Sequence, residues 1–374
     1  MALSKLGLYI EESDERNCNG VLDENAVVGI STQKELIRTK ADLAGVNLAT
    51  YKLLQPMSFA YVPDTSRRGD KIALAFNTAE ETFLISSIYI VFSVKSDNRL
   101  DPWYLFMYFN RPEFDRYSRF NSWGSARETF NWEDMCNIAI ELPDLPTQQK
   151  YVDIYKVMLA NQQSYERGLE DLKLVCDGYI EDLRRRMPCE KIGKYLIESD
   201  NRNKCGLTVD AVRGISTSKE MIPTKADMDG VGLDNYKTVR PGQIAYVPDT
   251  SRRGNKISLG FNDTQDTFLV SSISTVFTTA KDYLLPEYLT LFLTRDEFDR
   301  YARFNSWGSA RETFDWPEMC NVEIPIPDIS IQKSIAEIYS VYTQRKKINE
   351  QLKAQIKDIC PILIKGSLEE AVEN

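Results

Sequence analysis

The chain has 374 residues, 43% hydrophobic and 27% charged, the make-up of a globular protein with two or three domains, each able to bury its own core. It contains no histidine, which removes the usual general base, the Ser-His and Cys-His nucleophile pairs and the commonest metal ligand. A net charge of -9 argues against a surface that grips nucleic acid everywhere and confines any such contact to local basic faces.

In chain order, Lys5 to Glu11 opens as a short strand or turn, and Gly29 to Thr32 follows a polar loop. Met57 to Val62 and Lys71 to Phe76 read as strands bracketing a turn that carries Pro63-Asp64 and Gly69. Thr82 to Phe92, rich in β-branched and aromatic residues, is the strongest strand signal. Pro102 to Asn110 and Glu113 to Phe120 read as helices, and Ile138 to Leu142 as a strand closed by Pro143-Asp144-Leu145-Pro146.

The period then changes. From Thr147 to about Met187 there is no proline, and bulky residues recur every three or four positions at Tyr151, Ile154, Met158, Tyr165, Leu172, Val175 and Tyr179, with Asn161 and Gly168 filling the register. The tail repeats the pattern from Ile335 through Ile338, Tyr342, Arg345, Asn349, Leu352, Ile356 and Ile359 to Leu363. Both stretches are expected as long helices paired through these stripes. About 40 residues of helix span roughly 60 Å, the reach of a spacer. Polar Asn161, Arg345 and Asn349 are expected to fix the register of the seam.

The chain is built twice. Arg119 to Phe130 (RFNSWGSARETF) recurs unchanged as Arg303 to Phe314, Tyr61 to Gly69 (YVPDTSRRG) as Tyr246 to Gly254, and Glu113 to Tyr117 as Glu297 to Tyr301. The second copy opens near Lys191 and closes at Ile324 to Asp328, so the order is unit, helix, unit, helix.

This arrangement resembles the specificity (S) subunits of Type I restriction-modification enzymes. The resemblance rests on Ser125-Ala126-Arg127 leading to Leu142 to Pro146 and Gln148-Gln149, on Ser309-Ala310-Arg311 leading to Ile326 to Ile329 and Gln332-Lys333, and on Gly29 to Thr32, Tyr51-Lys52 and Phe59 to Tyr61 with their second copies. It implies an α+β fold: two similar mixed α/β target-recognition domains (1–144 and 189–328), separated by two long antiparallel coiled-coil helices (145–188 and 329–374), in a pseudo-two-fold internal repeat. It also implies a non-catalytic subunit that reads double-stranded DNA and docks two modification (methyltransferase) subunits, with restriction or translocase subunits as further partners. S-adenosylmethionine and ATP are then expected on the partners only, and no cofactor or metal on this chain. Because the two domains are close copies, the half-sites they read are expected to be near-inverted repeats. A stand-alone two-headed DNA-binding regulator is the other reading of the same architecture.

The candidate DNA-binding residues follow from donor chemistry. In the repeated loop, Asn121, Ser122, Ser125 and Arg127, with Asn305, Ser306, Ser309 and Arg311, offer amide, hydroxyl and guanidinium groups; identical in both copies, they suit phosphate contact better than base reading. Ser66, Arg67, Arg68 and Lys71, with Ser251, Arg252, Arg253 and Lys256, form a basic turn suited to phosphate or guanine. Thr32 and Lys34, with Thr217 and Lys219, lie in donor-rich polar segments. Asp101-Pro102-Trp103-Tyr104 has the look of an amino-methyltransferase motif, but its second copy reads Leu285-Pro286-Glu287-Tyr288 and no Gly-rich nucleotide turn accompanies it. The scattered, odd-numbered cysteines signal neither disulfides nor zinc. No apolar run reaches membrane-span length, and Met1 to Leu6 lacks the look of a signal peptide, so the expected location is the cytoplasm, without a membrane partner.

Overall fold

Phe59 stacks on Phe76 at 4.5 Å and on Phe92 at 5.1 Å between ring centroids, one ring from each of three neighbouring strands. These rings lie on one face of an antiparallel sheet whose strands run in the order Ile10–Ser13, Ile90–Val94, Phe59–Tyr61 and Leu74–Phe76. Alternation along Phe59–Tyr61 puts Phe59 and Tyr61 into one core and Ala60 into a smaller one on the opposite face. Two-stranded ribbons flank the sheet: Val28–Ile30 with Leu36–Arg38, Lys52–Leu54 with Phe83–Ile85, and Ser4–Lys5 with Ala139–Ile140.

The computed structural model describes residues 3–39, 41–66, 71–96, 99–125, 127–204, 206–251, 256–309 and 311–373. The chain divides into two compact units, Met1–Tyr165 with Ile348–Asn374, and Glu166–Lys347. The second unit repeats the first: its sheet runs Leu196–Ser199, Thr275–Thr279, Ile244–Val247 and Ser258–Phe261, with matching ribbons.

Eight α-helices follow in the described residues: α1 Pro102–Phe109, α2 Pro112–Phe120, α3 Trp132–Cys136, α4 Leu145–Arg186, α5 Pro286–Leu293, α6 Asp296–Phe304, α7 Trp316–Cys320 and α8 Ile329–Glu373. Helix α1 starts where Asp101 accepts the Trp103 amide at 2.7 Å and Pro102 occupies the first turn, a capping role for the tetrapeptide that has the look of a methyltransferase motif.

The unit boundary cuts through α4 and α8 rather than at their ends, which differs from boundaries placed at 144/145 and 328/329. The cause is burial. In the first unit Val152 and Tyr155 of α4 and Ile356, Cys360, Leu363 and Ile364 of α8 join the core beneath the sheet. In the second, Cys176 and Ile180 of α4 and Ile335 of α8 do the same. Within the first unit the pairing is antiparallel, with Lys150 bound to Glu370 at 2.7 Å and Gln162 to Asn349 at 2.9 Å.

A buried glutamine locks each helix start. The Gln148 carboxamide donates to Arg99 O at 3.0 Å and Pro143 O at 2.8 Å and accepts from the Asp101 amide at 2.8 Å; Gln332 repeats this with Tyr283 O, Pro327 O and the Leu285 amide. Two of the three hydrogen bonds tie α4 to the segment that caps α1 and the third closes on the proline turn before α4, so the repeated spacing from that turn to the glutamine is a structural joint.

Two expectations are corrected and one helix is added. Thr82 to Phe92 is two strands, Phe83–Ile85 and Ile90–Val94, because Ser86 to Tyr89 turns back through a Tyr89 amide to Ser86 carbonyl bond at 3.0 Å. Trp132–Cys136, to which the sequence pattern assigns no element, forms the short helix α3. The α4 seam runs through Val152, Tyr155, Gln162, Cys176 and Ile180, not through Ile154, Asn161, Val175 and Tyr179, which are exposed. Among the described residues no helix is long and apolar enough to cross a membrane.

Candidate nucleic-acid interface

The two longest repeated blocks are one structural device. The amide of Phe130 donates to Pro63 O at 2.9 Å, the amide of Thr65 to Glu128 O at 3.0 Å, and Asp64 bridges Thr129, so the base of the basic turn pairs with the end of the twelve-residue block. On the other edge Thr129 and Trp123 exchange backbone bonds at 3.0 and 3.1 Å. The second unit reproduces the ladder with Phe314 to Pro248, Thr250 to Glu312, and Trp307 with Thr313. Fully buried Phe130 and Phe314 anchor it in their cores.

The loop between Trp123 and Thr129 closes only on glycine. Gly124 has φ +144°, and a Cβ there would sit 2.1 Å from the Arg127 carbonyl oxygen; Gly308 matches it at φ +139° and 2.1 Å from Arg311 O. Arg119 pairs with Glu128 and Arg303 with Glu312, which fastens the helix end to the ladder.

Several expected DNA contacts face inward. Asn121 donates to Tyr117 O at 2.9 Å and Ser122 to Ser118 O at 2.6 Å, closing α2; Asn305 and Ser306 close α6 in the same way. Ser66 and Ser251 donate to Asp64 and Asp249 within their own turns, at 2.6 and 2.7 Å, and remain exposed.

Lys34 and Lys219 are likewise corrected: both are internal. Lys34 is only 5% exposed and pairs with Asp115 at 2.5 Å, while Lys219 pairs with Asp299 at 2.5 Å. Each lysine holds a left-handed backbone, φ 66° and 67°, rare for a residue with a side chain. The same carboxylate oxygen accepts the amide of Ile72, or of Ile257, at the return of the basic turn. Burial pushes each ammonium below its ordinary value although the carboxylate opposes the shift. The pair joins the ribbon turn, the basic turn and α2 at one point.

Ser125, Arg127 and Lys71, with Ser309, Arg311 and Lys256, are exposed, and Thr32 and Thr217 are half-buried on their ribbon turns. Arg67, Arg68, Arg252 and Arg253 lie outside the described residues. In the first unit an open groove of about 720 Å³ runs beside this device, lined by Thr32, Lys71, Arg116, Phe120 and Lys357 among others. The residues missed from sequence are Phe120 and Phe304, 76% and 78% exposed. A helical wheel carries the signal: Phe120 lies two residues past buried Ser118, about 200° around the helix from the packed face.

Residues 250–358 match the family model of the Type I restriction modification DNA specificity domain. The whole chain superposes on the crystal structure of the Type-I restriction-modification system S subunit from M. genitalium with TM-score 0.58 at 10% identity, covering 98% of this chain and 95% of that one. A chain from a study of complex assembly and conformational transition of the type I R-M system gives 0.45 at 13% identity, covering 98% and 97%. The HsdS subunit from Thermoanaerobacter tengcongensis gives 0.35 at 14%, covering 98% and 96%. No protein of curated function matches the sequence. Residues 250–358 are therefore similar to a type I DNA specificity domain, and the chain as a whole has a fold like that of the M. genitalium S subunit.

Proposed function

We propose that this chain is the DNA-recognition subunit of a type I restriction-modification system, with each unit reading one half of a bipartite, near-palindromic site. The observation that carries the reading is the duplicated device itself: a basic turn and a Gly-closed loop pinned by one ladder, present once in each unit of an S-subunit fold. Two similar readers joined by antiparallel helices address similar half-sites on opposite strands. The helices act as the spacer that sets the gap. Two modification subunits supply S-adenosylmethionine-dependent methyl transfer, restriction or translocase subunits bring ATP-driven steps, and this chain adds neither catalytic residue nor cofactor. Its place of work is the cytoplasm. Much of the nonspecific phosphate grip then comes from the partners, in keeping with a net charge of -9.

The test is mapping of methylated bases genome-wide in host cells with and without the gene. Loss of one interrupted, nearly symmetric motif is expected. A motif with unrelated halves would refute the symmetry, and an unchanged methylome with an expressed modification partner would favour the stand-alone regulator. Inserting four residues in each long helix lengthens it by about 6 Å, close to two base pairs at about 3.4 Å each, and should widen the gap; an unchanged gap would remove the spacer role.

A further inference from the structure

The twelve-residue block is identical in two units that diverge immediately around it, where Asn131-Trp132-Glu133 becomes Asp315-Trp316-Pro317 and Ser118 becomes Ala302. Internal structure accounts for most of that identity. Arg119 and Glu128 form an ion pair, Asn121 and Ser122 close α2, Gly124 admits the Arg127 carbonyl, Thr129 bridges to Trp123 through the backbone, and Phe130 fills the core. Phe120, Trp123, Ser125 and Arg127 are left over. Their side chains are exposed, Trp123 at 63% and Trp307 at 65%, and make no hydrogen bond or ion pair among the described residues.

Two large exposed rings three residues apart, present in both units, mark an interaction site rather than packing. Holding the same two rings in both units implies a ligand that is the same at both places. The charge around them selects its class. The loop leaves the fold from the ladder that also carries the basic turn ending in Lys71, Arg127 and Lys71 are both exposed, and the block's one acid, Glu128, is neutralised by Arg119. An anion with flat apolar faces meets these terms, and duplex DNA offers phosphates throughout and base planes wherever a wedge unstacks a step.

We infer that Phe120 with Trp123, and Phe304 with Trp307, are aromatic wedges that press against base planes at each half-site while Arg127 and Arg311 hold the adjoining phosphate. Stacking on a base face is tolerant of sequence, so the wedge deforms DNA at both half-sites without reading either. This rests on the DNA-recognition reading above and assigns to the aromatic rings the part of that contact that is independent of sequence.

The chain carries its own reporter. Of five tryptophans, Trp103, Trp132 and Trp316 are packed against the cores, while Trp123 and Trp307 are exposed. Short duplex DNA of mixed sequence, titrated into the full chain at low salt, should quench tryptophan emission. The double variant Trp123→Leu with Trp307→Leu should lose the quench and bind about five-fold or more weaker per ring, and Trp123→Tyr with Trp307→Tyr should regain the affinity, all with unchanged thermal midpoints. Binding without quenching, and with equal affinity in the leucine variant, would overturn the wedge and leave DNA recognition standing. No binding of duplex, either by the chain alone or by the chain purified with a co-expressed modification subunit, would overturn both. A leucine variant that binds DNA normally but no longer retains a co-expressed modification subunit would overturn the wedge by making the patch a protein-docking surface.

Discussion

Gln162 Nε2 donates to Asn349 Oδ1 at 2.9 Å, two buried carboxamides facing each other across the helix pair of the first unit. A buried amide pair in a helix seam specifies register, because a shifted alignment separates the two groups. Asn349→Leu should lower stability by about 1–3 kcal/mol, since Gln162 keeps its buried donor and loses that acceptor. Adding Gln162→Leu should restore stability while loosening register. Denaturant unfolding gives the first effect and cysteine cross-linking along the seam the second; a double variant as unstable as the single would contradict the account.

The Lys34–Asp115 pair makes a second prediction. Lys34→Met leaves a carboxylate enclosed without its cation and should cost about 3–5 kcal/mol, whereas Lys34→Met with Asp115→Leu should recover most of the loss. The salt dependence of DNA binding should not change, because the ammonium is internal. A reduced salt slope in Lys34→Met would return this lysine to the DNA contacts.

The exposed cations behave oppositely. Arg127→Ala and Lys71→Ala should each leave the thermal midpoint unchanged, weaken binding alike on all sequences and reduce the salt slope of log K by about one. Arg311→Ala and Lys256→Ala should do the same in the second unit. Loss of preference at one base position, with the slope intact, would make the residue a base reader.

Gly124→Ala tests the loop. Its Cβ would lie 2.1 Å from a backbone oxygen at φ +144°, so the ladder to Thr65 must open, and the amides of Thr65 and Thr129 should exchange with solvent much faster than in the parent. Unchanged protection of both amides would show that the loop accommodates the methyl group.

The doubled architecture, the long helices and the register-setting Asn349 were legible because they are written locally, in identical blocks and in a three-four period. What failed was decided by partners distant in sequence. Two stripes one residue apart compete on α4, and burial of Val152 and Tyr155 rather than Ile154 is settled by which face meets the core. Gln162 was passed over since a glutamine carries no apolar signal, though Asn349 supplies its partner. Lys34 resembles any donor in a polar loop until Asp115, 81 residues away, draws it inside. The Thr82 to Phe92 run has strand propensity throughout, yet two different sheets share it and force the turn at Ser86.

The second unit is one unbroken run, Glu166–Lys347, whereas the first needs Ile348–Asn374 to finish its core, where Ser367 Oγ meets Tyr104 OH at 2.7 Å and Ile356, Cys360, Leu363 and Ile364 pack beneath the sheet. A ribosome delivers these parts in order. The unit made second therefore has all its pieces first, and the unit made first waits, with its underside open, until the last helix arrives. A nascent chain stalled after Lys347 would hold one finished unit and one still lacking its closing helix.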